Sequence, residues 1–93
     1  MTYQNMTNGE IEWEIAIRLH LTKNKIKNWA TDLRRSFDLI DQSKVSFGLN
    51  TLGRLRWCAI LYDDEIDVIS AVTDSPARAI CEAWLQWSDL RHE

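Results

Sequence analysis

Residues 57–62, WCAILY, are apolar at every position. Successive side chains of a strand alternate, so Trp57, Ala59 and Leu61 lie on one flank of this segment and Cys58, Ile60 and Tyr62 on the other. A strand that is apolar on both flanks belongs at the centre of a sheet, with something covering each side. Turn signals bound it: Asn50-Thr51-Leu52-Gly53 before and Asp63-Asp64 after. KVSFGL ahead of the first turn alternates Val45, Phe47 and Leu49 against Ser46 and Gly48, and EIDVISAVT after the second places Ile66, Val68 and Val72 on one face. The pattern predicts a three-stranded antiparallel meander over residues 44–50, 54–62 and 65–73.

The covers must come from helices. Asp74-Ser75-Pro76 joins a capping side chain to a proline in the first turn, where its missing N–H is harmless. Ala77, Ile80, Ala83, Trp84 and Trp87 then recur at helical spacing, with Arg78, Glu82, Gln86 and Asp89 turned elsewhere, which predicts an amphipathic helix over 75–90. Ile26, Trp29, Ala30, Leu33, Phe37 and Ile40 predict another over 25–41. Residues 10–21, EIEWEIAIRLHL, are ambiguous. Their strict alternation suits a strand, but Thr7 and Glu10 have the spacing of a capping box, and the early glutamates suit the positive end of a helix dipole. Read as a helix over 8–20, the segment makes one stripe of Ile11, Ile15 and Leu19 and leaves Trp13 and Ile17 on the far side. The fold class is therefore α+β: a three-stranded antiparallel sheet sandwiched by helices, in the order α-α-β-β-β-α.

Ninety-three residues support one domain with one modest core. Disorder, if any, is expected only in residues 1–6 and 91–93. No apolar run is long enough to span a bilayer, and the start MTYQNMTNGE lacks the layout of a signal peptide, so a cytoplasmic location is expected. Cys58 and Cys81 each sit among apolar neighbours and read as buried free thiols. The net charge of −3 is uneven: residues 1–21 carry −2, residues 22–56 carry +5 and residues 57–93 carry −6.

Two stretches, GRLRWCAILY at 53–62 and AVTDSPARAICEAWL at 71–85, resemble a family of small bacteriophage and prophage proteins grouped under the phage ABA-sandwich domain. Residues 9–19, GEIEWEIAIRL, are similar to that family's opening helix, which supports the helical reading. The basic KNKIKN stands where such proteins often have a proline-rich stretch. The resemblance implies a short antiparallel sheet between helical layers and a phage or prophage source. It implies little about activity, because the family's members are mostly uncharacterised accessory proteins.

Catalytic chemistry finds little support in the residues. His20 closes the first helix, where a cation suits the dipole, and His92 is near the chain end. Asp63, Asp64, Glu65 and Asp67 lack calcium-loop spacing and read as a solvated turn. No phosphate-binding glycine loop or nucleophile elbow is present. No catalytic residue, metal ligand or cofactor is assigned.

Two features remain for recognition. Five tryptophans exceed the usual need of so small a core, and Trp13 and Trp87 sit beside charged neighbours near helix ends, which marks them, with Ile17, as candidate contact residues. Arg34, Arg35, Arg54 and Arg56 form the other candidate surface, suited to phosphates. The expected role is that of a small, non-enzymatic accessory protein that binds a host or phage protein and inhibits or redirects it, antiviral defence included. The competing expectation is a module for a nucleotide or nucleic acid on the basic 23–56 region, with a homo-oligomer forming the pocket.

Overall fold

The computed structural model describes residues 3–91. The chain runs through α1 (Asn8–Arg18), a short 3-10 turn at Lys23–Lys25, α2 (Leu33–Ser43), β1 (Ser46–Thr51), β2 (Trp57–Tyr62), β3 (Asp67–Ile69) and α3 (Pro76–Arg91). The sheet is antiparallel, in the order β1-β2-β3. The fold class and the element order agree with the sequence reading. No helix among the described residues is long and apolar enough to cross a membrane.

The start of α1 settles the ambiguous segment in favour of helix. The Thr7 hydroxyl accepts from the Glu10 N–H at 3.1 Å, and the Glu10 carboxylate accepts from the Thr7 N–H at 2.9 Å. The Thr7 backbone N–H, and after it the Thr7 hydroxyl, hold the Glu10 carboxyl below its ordinary range. At the other end, His20 adopts φ 58°, its N–H donates to the Ile17 carbonyl, and the Leu21 N–H donates to the Ala16 carbonyl at 2.9 Å. That is a Schellman closure with a histidine where glycine is usual. Alternation in the sequence loses to these local bonds because Ile11, Ile15 and Ala16 share a buried helical stripe.

The second helix is shorter than expected and begins eight residues later. Asp32 is its cap, accepting from the Arg34 N–H at 3.0 Å. Ahead of it, Thr31 and Asp32 both donate backbone N–H groups to the Asn28 carbonyl, and Ile26 is extended. Trp29 and Ala30 are buried all the same, in a turn rather than on a helix. The Ala30 N–H donates to the Glu12 carboxylate at 3.1 Å, which ties this turn to α1. The buried face of α2 is Ser36, Leu39 and Ile40, while Phe37 stacks on Phe47 of β1 with ring centroids 5.4 Å apart.

The strands, too, are shorter than the pattern implied. β3 stops at Ile69 because Ser70 replaces a backbone partner with its hydroxyl, which accepts from the Ala59 N–H at 2.9 Å. Pairing resumes between Trp57 and Thr73 with one extra residue on the β3 side, a bulge that breaks the alternation and leaves Val72 exposed.

Directly paired residues of an antiparallel ladder share a face. Leu49, Ala59, Leu61 and Val68 face α3, and Ala59 and Leu61 are fully buried there. Burying one such leucine contributes about 1.5–3 kcal/mol. The opposite face carries Cys58, Ile60, Tyr62 and Ile69, together with Gly48 and Asp67; of these Cys58 is buried. Here the expectation of a cover on both flanks of WCAILY fails: α3 is the main cover of the sheet, Phe37 of α2 meets Phe47 at the edge of the same face, and α1 and α2 pack on α3. The layers run sheet, then α3, then α1 with α2, so α3 is the most enclosed element, and in its last turns only Gln86, Asp89, Leu90 and Arg91 reach solvent.

That position explains the burial of Arg78 and Glu82, which the sequence pattern turned away from the core. The Arg78 Nε donates to Glu82 at 2.7 Å, its Nη1 to the Asn8 side chain at 2.8 Å, and its Nη2 to the carbonyls of Tyr3 and Met6. A buried ion pair needs such additional partners to offset its desolvation. The same bonds fasten the N-terminal segment to α3. Tyr3 is buried, so the expected disorder of residues 1–6 does not extend to Tyr3–Met6. Met1, Thr2, His92 and Glu93 lie outside the described residues.

Candidate interaction surface

α1 contacts α3 through Ile11, Ile15 and Ala16 and turns Trp13 and Ile17 outward, one helical turn apart. Trp13 is 49% exposed and Ile17 50%. Leu21, just past the Schellman closure, is exposed as well. An indole and an aliphatic side chain one turn apart on a helix face, with a second aliphatic just beyond the helix end, are an apolar surface of the kind that partners bury. Glu10 and Glu14, on the same helix, supply polar neighbours.

This face is held by a polar cluster at the end of α1. Arg18 pairs with Asp89 of α3 at 2.8 Å, donates to the Leu85 carbonyl at 2.8 Å and to the Tyr3 hydroxyl at 2.8 Å, and lies 3.4 Å from Glu14. The Tyr3 hydroxyl donates in turn to Asp89. Burial, then the bond to Asp89, raises the Tyr3 phenol above its ordinary value. Burial opposes the charge on Arg18, but Tyr3, Asp89 and Glu14 outweigh it and hold the guanidinium protonated. Two clefts flank the cluster, one beside His20 and Ser88 and the other beside Glu14 and Gln86. Glu12 is raised by burial, partly offset by the bond from Ala30. Together these groups fix the angle at which α1 presents Trp13 and Ile17.

The remaining candidates divide. Trp87 is only 9% exposed, and its indole N–H donates to Asp63 at 2.9 Å, which makes it a core residue and not a contact residue. The Asp63 carboxylate lies below its ordinary range because it accepts from the Glu65 N–H, then from Trp87 and the Ile66 N–H. Trp29 and Trp84 are buried and Trp57 is half-buried, so Trp13 is the one strongly exposed indole. Arg34 and Arg35 open α2, and Arg54 and Arg56 lie in the β1–β2 hairpin; all four are exposed. The clefts beside Arg18, Arg78, Phe37 and Tyr62 include none of them. Both cysteines are buried and free, and burial pushes the Cys81 thiol well above its ordinary value.

The fold is similar to that of a phage protein. Over 91% of this chain and 95% of the other, the structure matches the 2.0 Å crystal structure of a phage protein from Bacillus cereus ATCC 14579, with a TM-score of 0.73 and 10% sequence identity. At that identity the likeness establishes a shared fold. No protein-family model and no curated protein matches the sequence.

Three contact candidates were not anticipated by the sequence reading. The pattern places Leu21 in the alternating run, Leu52 in a turn and Leu55 at the start of the predicted strand 54–62, yet all three are exposed, Leu55 by 68%. Leu55 adopts φ 58° between two arginines, in the hairpin and not in the strand, and Leu52 was the available signal, an apolar residue inside a turn.

Proposed function

We propose that this chain is a small phage or prophage accessory protein of the ABA-sandwich type that acts in the bacterial cytoplasm by binding a host or phage protein, not by catalysis. The supporting observation is the outward face of α1, where Trp13 and Ile17 stand half-exposed on a helix whose opposite side is locked into the core. A rigid aromatic anchor beside an aliphatic residue is the composition of a binding hot spot. Redirecting or inhibiting a host protein, including one of antiviral defence, is the role this surface serves.

Capture from a bacterial lysate, followed by mass spectrometry, tests the reading when the same protein is sought with Trp13→Ala and Ile17→Asp variants. Each is expected to lose the captured partner, with a binding loss of about 2 kcal/mol or more for Trp13→Ala. Circular dichroism should remain unchanged, because neither residue supports the core. Stabilisation of the chain by nucleotides or oligonucleotides, abolished by neutralising Arg34, Arg35, Arg54 and Arg56, with capture unaffected by Trp13→Ala, would transfer the function to the basic surface.

A further inference from the structure

Among the described residues no helix lies over the outer face of the sheet, although Cys58 at its hairpin end is buried. Ile60 is half-buried there, Tyr62 and Ile69 are exposed, and a methyl group placed on Gly48, opposite Ile60, would meet nothing within 4 Å. The two ends of this face carry opposite charge. Before β2, the hairpin holds Arg54 and Arg56 around Leu55, whose left-handed φ of 58° is uncommon for a leucine. After β2, Asp64, Glu65 and Asp67 rim a depression of about 420 Å³ that Ile60, Tyr62 and Ile66 also line. Asp63 is already engaged by Trp87 and Arg91, whereas Asp64, Glu65 and Asp67 are exposed.

We propose that a second copy of this chain covers the face, with the two β2 strands antiparallel across a twofold axis. That single operation satisfies both ends: the basic hairpin of each copy falls over the acidic depression of the other, and the apolar centres meet. Nucleic acid satisfies the hairpin but is repelled by the acidic end. A uniformly charged protein meets the same conflict with its sign at one end or the other. Leu55 then has a role as the apolar tip that enters the partner copy's depression between its flanking arginines.

The dimensions set the strength. Six residues at about 3.3 Å and three strands about 4.8 Å apart make a face near 15 by 20 Å. A stable interface buries roughly 800 Å² per partner, so the charged loops must contribute and the dimer depends on concentration and salt. Because α3 separates the sheet from α1, the dimer leaves both Trp13–Ile17 surfaces free.

Sedimentation equilibrium of the full chain over a range of concentrations tests this. A reversible monomer–dimer equilibrium is expected, weakened by high salt and weakened about tenfold or more by Ile69→Glu. The double reversal Arg54→Glu, Arg56→Glu and the double reversal Asp64→Lys, Asp67→Lys should each give monomers, and mixing the two should restore a dimer. All five residues are exposed, so circular dichroism of each variant should match the parent. A chain that stays monomeric at every concentration overturns the proposal. So does a dimer indifferent to Ile69→Glu, or a pair of reversals that fails to reassociate. These readouts are independent of Trp13 and Ile17, so they stand or fall apart from the binding role of α1.

Discussion

α3 and β2 both carry long apolar runs, and they meet different fates. Around α3 nearly everything is buried, including Arg78, Glu82 and Ser88. Along β2 burial is mixed: Cys58, Ala59 and Leu61 are buried, Trp57 and Ile60 are half-buried and Tyr62 is exposed. The difference lies in what each surface admits. Ala77, Ala79 and Ala83 keep α3 slim enough to be approached by a sheet on one side and two helices on the other, while its charged residues find partners within the core. β2 has a helix on one face only, because α1 and α2 are spent on covering α3. Apolar content alone does not place an element at the centre of a small domain; the supply of covering elements does.

The largest test of this contrast is in the enclosed helix. Arg78→Met leaves Glu82 buried without its partner and strips donors from Asn8, Tyr3 and Met6; a loss of about 3–5 kcal/mol in urea unfolding is expected. Arg78→Met combined with Glu82→Leu should recover part of that loss, since the cost arises chiefly from the orphaned charge. Next comes the two-sided reading of the sheet. Leu61→Ala is expected to lose about 2–4 kcal/mol, whereas Ile69→Ala at concentrations that keep the chain monomeric should stay within about 0.5 kcal/mol. Equal losses would mean that both faces are covered.

The smallest effect concerns the joint between β2 and α3. The folded Asp63 carboxyl is held below its ordinary value, so its contribution is complete above the usual carboxylate range near pH 3.9 and is lost as pH falls through the folded value. Asp63→Asn should melt a few degrees lower at pH 7, and the gap to the parent should close in melts taken below about pH 4.

Much of the fold was legible from short-range chemistry. The Thr7–Glu10 box, Pro76 at the start of α3 with Ser75 capping the Arg78 N–H, and the turns around β2 each depend on residues a few positions apart. Trp13 and Ile17 were legible as well, because they are what the buried stripe of α1 leaves over. Trp87 was not: its indole is satisfied by Asp63, 24 residues earlier in the chain, so nothing near it in sequence signals its burial. The late start of α2 was hidden for a related reason. Trp29 and Ala30 have helical spacing, but they enter the core from a turn that Glu12 of α1 helps to hold.

By itself, then, the sequence determined the fold class, the order of the elements, the local caps and the outward side of α1, since each follows from periodicity or from bonds within one or two turns. Tertiary structure alone decided that α3 and not β2 is enclosed, that Arg78 and Glu82 are core residues and that the outer face of the sheet is open. Those outcomes depend on how a limited set of covers is shared among competing apolar surfaces, and that competition is settled by packing between residues far apart in the chain.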